Sequence, residues 1–257
     1  AAYRGHEESR SFAREEVAQT VRPTYMGLVS QVDAHFGRLV AALEQAGRLD
    51  DTLIVFTADH GDFLGDHWLG EKEIFHEEAI RVPLIVVDPD PQADATRGRV
   101  EQRLVEAVDL LPTFLDVAGL DPATHLVEGR SLLPLLRGPA PTDWREAAFC
   151  ELDYSFRQAR LTLGRAPGQC RAWMVRTAAW KYVEWLGFRP QLFDLQADPQ
   201  ERVDLGASAA HGGVRSEMRD RLWEWVRERK LRTTLSDAEV ARRTARHKEH
   251  GIFFGVW

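Results

Sequence analysis

The run Thr52-Leu53-Ile54-Val55-Phe56-Thr57 constrains this chain more than any other segment. It is almost continuously apolar and β-branched, with no alternation of polar residues. A strand of that kind must be covered on both faces, as in the parallel sheets of α/β proteins. It stops abruptly at Ala58-Asp59-His60-Gly61-Asp62. Ahead of it, Tyr25, Leu28, Val29, Val32, Phe36, Leu39, Val40 and Leu43 recur at helical spacing. Pro23 suits the first turn of that helix and Gly47 the residue past its end. A single apolar stripe predicts one face packed on a sheet. Val82-Pro83-Leu84-Ile85-Val86-Val87 predicts a second buried strand. Val108, Leu111, Phe114, Leu115 and Ala118 predict a further helix, with Pro112 near its start and Gly119 at its end. The succession helix–strand–loop–strand–helix predicts α/β layering.

A break at Gly138-Pro139-Ala140-Pro141 precedes a different pattern. Short strands are predicted at Ala147–Tyr154, Ala172–Thr177, Trp180–Trp185 and Gln191–Leu195, with a tight hairpin at Ala178-Ala179. Together they make a small antiparallel sheet. Val214, Met218, Leu222, Trp225 and Val226 mark an amphipathic helix, and the tail from Leu231 is basic and polar until Ile252-Phe253-Phe254-Gly255-Val256-Trp257. The expected division is residues 1–140 in an α/β layer, 141–232 in the small sheet with its helix, and 233–257 as a tail. Several classes are disfavoured. No apolar run approaches the roughly 20 residues of a membrane span. A net charge of −7 disfavours nucleic acid as a partner, because phosphate binding rests on positive charge. Two cysteines, Cys150 and Cys170, make no disulfide framework. The chain starts Ala1-Ala2 and its first methionine is Met26, which predicts processing or a piece of a longer protein.

The chemistry is expected at Asp59-His60-Gly61, since open α/β sheets bind ligands beyond the carboxyl ends of their strands. A carboxylate and an imidazole suit a divalent ion, and His favours manganese or zinc over calcium or magnesium. Gly61 is expected to let the backbone turn sharply beside the ion. Lys72 follows thirteen residues after Asp59, in the glycine-punctuated loop Gly65-Asp66-His67-Trp68-Leu69-Gly70-Glu71-Lys72. A metal and a lysine repel unless an anion bridges them, and the pair is a usual clamp for a transferring phosphoryl or sulfuryl group.

These stretches resemble the sulfatase branch of the alkaline-phosphatase superfamily, and within it the phosphonate monoester hydrolases and phosphodiesterases. The resemblance runs through Tyr25–Asp33, Thr52–Asp62, Gly65–Lys72, Arg81-Val82-Pro83-Leu84, Asp109–Thr113, Glu128–Pro134 and Gln191–Leu195, with Asp198-Pro199 and Glu201 just after. Their order and spacing together are specific. The fold it implies is α/β: an alkaline-phosphatase-like sandwich with a small C-terminal antiparallel sheet and helix, its N-terminal part missing. The implied reaction is metal-dependent hydrolysis of sulfate esters, phosphonate monoesters or phosphodiesters. Asp59 and His60 match the family's metal ligands, for one divalent ion: manganese or zinc favoured, calcium possible. Lys72 matches its oxyanion-contacting lysine, both catalytic and substrate-binding.

His67 and His76, in the same loop, are further catalytic candidates as proton donors, and Trp68 is a candidate border of the substrate pocket. One of Glu77 and Glu78 is expected to pair with Arg81, Asp33 to be a structural hydrogen-bonding group, and His35 to be exposed. The family's nucleophile is a formylglycine made from the cysteine of Cys-x-Pro-x-Arg, or from a serine. Cys150 is followed by Glu151-Leu152-Asp153-Tyr154 and Cys170 by Arg171-Ala172-Trp173-Met174, so neither fits and both are read as inert packing residues. The nucleophile is therefore expected outside this chain, and these residues alone are expected to be inactive. Trp144-Arg145 and Glu151–Phe156 resemble the phosphonate monoester hydrolases and shift the expectation toward phosphorus esters. The alternative is a non-catalytic scaffold or assembly module. The expected partners are a small anionic ester and, through the C-terminal tail, a second copy of the chain. No nucleic acid or membrane partner is expected, and the cytoplasm is the expected compartment.

Overall fold

A computed structural model of the protein describes residues 7–139, 141–229 and 236–243. The aromatic end of the tail, and with it the expected contact between copies, lies outside the described residues. In chain order the elements are α1 (Glu7–Arg10), α2 (Glu15–Gln45), β1 (Ile54–Thr57), α3 (Glu77–Ile80), β2 (Leu84–Val87), α4 (Leu110–Val117), α5 (Leu133–Leu136), β3 (Ala147–Asp153), α6 (Gln158–Thr162), β4 (Arg171–Thr177), β5 (Trp180–Trp185), β6 (Gln191–Asp194), α7 (Gly212–Glu228) and α8 (Asp237–Arg243). No helix among the described residues is long and apolar enough to cross a membrane.

Two expectations about the first layer are corrected. Helix α2 begins at Glu15, eight residues before Pro23, which sits inside it. Residues 15–22 have weak periodicity, and tertiary contacts make them helical. Ala18 is buried, and Arg22 donates to the Leu64 carbonyl at 2.9 Å and pairs with Asp66 at 2.7 Å. Pro23 is exposed, so the backbone bond it cannot make lies on the solvent side of the helix. Strands β1 and β2 are antiparallel, not parallel, with Ile54 opposite Val87 and Thr57 opposite Leu84. The connection is long enough for a crossover, but its only α-helix is the four-residue α3, and no crossover helix carries the chain back for a parallel return. The outer side of this pair is also open, with Ile85 58% and Val87 44% exposed. Half of the α2 stripe is open too: Leu28, Val29, Val32 and Leu39 are exposed, while Tyr25, Phe36, Val40 and Leu43 are partly buried and Phe36 meets Phe56 edge-on at 5.4 Å.

The second layer follows the sequence closely. Strands β3-β4-β5-β6 form one antiparallel sheet in that order, and Ala178-Ala179 turn the chain from β4 to β5. Residues alternate across it. Val175, Tyr182 and Leu192 face α7 and bury Met218 and Leu222, with Phe149 stacked on Trp225 at 4.8 Å. Ala172, Met174 and Val183 face the other way and pack on Phe75, which belongs to the loop between β1 and β2. The sheet is thus the seat of that loop. Leu222 is fully buried under the sheet. Leu222→Ala is expected to cost about 2–5 kcal/mol in lost transfer energy and cavity, measured by urea unfolding.

Much of the motif content proves to be scaffold. The Asp109 carboxylate is fully buried, ion-paired with Arg145, and accepts from the amides of Arg130 and Glu106, both at 2.8 Å. Trp144 donates to the Leu104 carbonyl at 2.8 Å. Asp33 and His35 are both exposed on α2, His35 as expected.

Candidate metal and oxyanion site

Beyond β1 the chain enters a loop held in unusual backbone geometry. Leu64, His67, Trp68, Glu71 and Ile74 all have φ between +47° and +75°. Left-handed backbone is uncommon for such residues and a genuine outlier for β-branched Ile74. It persists where the surroundings over-determine it, a situation common at functional sites. Here the determinants are visible. The Phe63 amide donates to the Glu71 carbonyl and Gly65 to Leu69, both at 2.9 Å, while Phe63, Leu69 and Ala79 form a buried cluster under the loop.

Asp59 and His60 stand together at the mouth of this loop. The Asp59 carboxylate accepts from the His60 amide at 3.0 Å. The His60 ring lies with Nδ1 2.8 Å from the Gly61 carbonyl. A carbonyl only accepts, so in the neutral ring Nδ1 carries the proton and Nε2 the lone pair. That Nε2 faces Asp59 Oδ2 at 3.5 Å. Two ligands about 2.1 Å from one tetrahedral ion lie roughly 3.4 Å apart. The donor pair therefore fits a divalent ion, with the His tautomer fixed as a metal ligand requires. The Asp59 side chain is 88% exposed, leaving room for ligands from elsewhere.

Gly61 has a different role from the expected turn. A Cβ there would lie 1.9 Å from the Glu78 carbonyl oxygen, and its amide donates to Ala79 at 2.8 Å. Glycine is required because the backbone just after Asp59 and His60 docks directly against α3.

His67 and His76 are brought together with Glu78, all partly buried. The two rings stack 4.1 Å apart and 16° from parallel. His67 Nε2 faces Glu78 at 3.5 Å, and His76 Nδ1 faces Glu201 at 3.4 Å. Imidazole lone pairs lie in the ring plane, so stacked rings send them out side by side and do not converge on one ion. The arrangement is a loop lock. Burial raises the Glu78 carboxyl, but the hydrogen bond and charge of His67 outweigh it and leave it below the ordinary range. Lys72 lies further along the loop, 4.0 Å from Glu71, and is not ion-paired with Asp59. Trp68 is exposed on the rim.

Neither Glu77 nor Glu78 pairs with the exposed Arg81. Glu77 turns instead to Arg176 at 3.3 Å and to the fully buried Lys181 at 2.8 Å. Lys181 also pairs with Glu201 at 2.7 Å and donates to the Phe75 carbonyl at 2.9 Å. Sequence reading passed over Lys181, although a lysine sharing a strand face with Val183 is a visible signal. Both cysteines pack as expected: Cys170 is fully buried, and burial raises the Cys150 thiol above its ordinary range. That is the environment of an inert thiol.

With this geometry in hand, comparison with known proteins is informative. The sulfatase family model matches residues 2–120, and that of the N-sulphoglucosamine sulphohydrolase C-terminal region matches 65–228. The chain is 33% identical over 226 residues to the multifunctional alkaline phosphatase superfamily protein PehA of Trinickia caryophylli, covering 87% of this chain and 43% of that protein. It is also 33% identical to an N-acetylglucosamine-6-O-sulfatase of Bacteroides thetaiotaomicron, over 80% of this chain and 36% of the relative. Among solved structures, the phosphonate monoester hydrolase of Agrobacterium radiobacter superimposes with a TM-score of 0.76 at 35% identity, over 82% of this chain and 42% of that one. The Silicibacter pomeroyi phosphonate monoester hydrolase gives 0.77 at 36%, over 85% and 43%. The chain thus spans less than half the length of these relatives. In sequence and in fold it belongs to the sulfatase family of the alkaline-phosphatase superfamily.

Proposed function

We propose that this chain supplies the metal-binding and oxyanion-binding part of a hydrolase acting on sulfate esters, phosphonate monoesters or phosphodiesters. One observation carries the reading: the Asp59–His60 pair, with its free Nε2 3.5 Å from a carboxylate oxygen and its other nitrogen tied to Gly61. One divalent ion, manganese or zinc on ligand softness, would be held by Asp59 and His60 and would supply charge stabilisation to the reacting ester oxygens. Lys72, exposed on the braced loop, would bind a substrate oxyanion, a role supported by its spacing from Asp59. His67 and His76, turned into the loop lock, support the loop's shape; we do not assign them a proton-transfer role. Trp144 and Arg145 serve the scaffold, so the leaning toward phosphorus esters that they share with Glu151–Phe156 rests on resemblance and not on substrate contact.

The nucleophile, a formylglycine by family resemblance, belongs to polypeptide beyond these residues. The open apolar faces of α2 and of the β1–β2 pair support that reading, because they lack a covering layer within the described chain. A non-catalytic scaffold role would share this surface, and activity separates the two. The purified chain is expected to show negligible hydrolysis of aryl sulfates, phosphonate monoesters and phosphodiesters while binding Mn²⁺. Robust metal-dependent turnover by these residues alone would overturn the proposal of an external nucleophile. In a polypeptide that carries the nucleophile, Lys72→Ala is expected to lower kcat by roughly 10²–10³, as for other oxyanion donors, with metal content by elemental analysis unchanged. Absence of turnover even with the nucleophile present would favour the scaffold. The cytoplasm remains our proposed compartment, to be checked by cell fractionation.

A further inference from the structure

The metal pair does not stand alone: a continuous line of contacts joins it to the far sheet. His60 Nδ1 is bonded to the Gly61 carbonyl, and the Gly61 amide donates to Ala79 in α3, both at 2.8 Å. At the other end of α3, the Glu77 amide donates to Glu201 Oε2 at 2.7 Å. Glu201 Oε1 is in turn 2.7 Å from Lys181 Nζ on β5. An ammonium has three N–H donors, and three oxygens surround this one: Glu201, Glu77 and the Phe75 carbonyl. Glu201 is 3% exposed and has φ +52°, a conformation that the surroundings must impose on it. Lys181 and Glu201 are buried, and Glu77 is largely so. The cluster's connections run to the segment that carries the metal pair and to the loop ending at Phe75.

We propose that Glu201, seated on Lys181, is a positioning residue that fixes α3 against Gly61 and thereby holds the His60 ring in its metal-ligating tautomer. This rests on the reading of Asp59–His60 as a metal pair. The physical basis is leverage. α3 is a single turn with little stability of its own, so the remote carboxylate on its first amide sets where it sits. The close packing of Gly61 on Glu78 then passes any displacement of α3 to the Gly61 carbonyl.

The test uses Glu201→Gln in the full chain, which keeps an oxygen for the Glu77 amide but loses the charge that seats it on Lys181. Leu222→Ala serves as the control for general destabilisation, because it lies on the opposite face of the sheet. Long-range ¹H–¹⁵N spectra, assigned to His60 by comparison with His60→Gln, report the tautomer, and calorimetric titration with Mn²⁺ reports affinity. The unsubstituted chain and Leu222→Ala are expected to show the Nδ1–H form and equal affinities. Glu201→Gln is expected to show a tautomer mixture and a 10–100-fold loss of Mn²⁺ affinity, the range for outer partners of metal ligands. An unaltered tautomer and affinity in Glu201→Gln, or equal losses in Leu222→Ala, would overturn the positioning role. Failure of the unsubstituted chain to bind Mn²⁺ overturns the metal-pair reading, and the tautomer then decides the positioning of His60 by itself.

Discussion

Lys181→Met is expected to destabilise the chain by about 3–5 kcal/mol, the range for removing one partner of a buried ion pair. Methionine fills similar volume, so the loss is electrostatic and not a cavity. Lys181 is fully buried, and its removal leaves Glu201, whose side chain is 1% exposed, with only the His76 ring and the Glu77 amide beside it among the described residues. Glu77 keeps Arg176 at 3.3 Å, so Glu201 bears most of the penalty. Adding Glu201→Gln to Lys181→Met is expected to restore part of the loss, because the buried charge disappears while an oxygen remains for the Glu77 amide. Urea unfolding of the two variants measures both effects. A loss under about 1 kcal/mol in Lys181→Met would mean the network is hydrated and contributes like a surface pair.

The pH dependence gives the same network a sign. Burial raises the Glu201 carboxyl, but the His76 hydrogen bond and the Lys181 charge outweigh it, leaving it below the ordinary 4.5. Glu77 is likewise depressed against burial, by Lys181 and then Arg176. A depressed carboxyl contributes stability that is complete above its unfolded value and is lost as pH falls through the folded value. Stability from this network is therefore expected to hold above pH 4.5 and decline below it. In Lys181→Met the Glu201 carboxyl is expected to rise, since burial is then opposed by His76 without the ammonium. The gap between the two proteins is expected to narrow as the pH falls below 4.5.

What the sequence disclosed and what it hid divide along physical lines. β3 to β6 and α7 were legible because their apolar periodicities, two and 3.6, match burial on one sheet. β1 was legible as a strand, but its partner's direction was not. An apolar run shows that cover is needed without saying which way the neighbour runs. The two-sided cover it predicts is absent among the described residues, and Ile85 and Val87 mark where it would lie. Asp59, His60 and Lys72 stood out as candidates through spacing and family resemblance, and the fold sets the first two side by side. The bracing of their loop was not legible, because it depends on contacts between residues over a hundred positions apart, such as Phe75 with Lys181. Glu77 illustrates the limit: proximity in sequence favoured Arg81, while the fold supplied Lys181.

Asp59→Ala is expected to produce the opposite profile to Lys181→Met: stability kept, metal lost. Its side chain is 88% exposed, and its one hydrogen bond among the described residues, from the His60 amide, is local. A surface substitution of this kind usually stays within about 0.5 kcal/mol. The metal consequence is larger. A carboxylate is the only anionic donor of the pair, and without it a neutral imidazole must hold the ion among the described residues. Outer partners of metal ligands cost 10–100-fold in affinity, so loss of the ligand itself is expected to cost at least about 100-fold, read by Mn²⁺ calorimetry. His60→Gln separates charge from geometry: it keeps Asp59 but removes the nitrogen donor. It is expected to weaken Mn²⁺ severely as well, and zinc more than calcium, because softness resides in the imidazole. Should Asp59→Ala bind Mn²⁺ as tightly as the unsubstituted chain, the ion would reside elsewhere, and the 3.5 Å pairing of Asp59 with His60 would be a feature of the loop mouth alone.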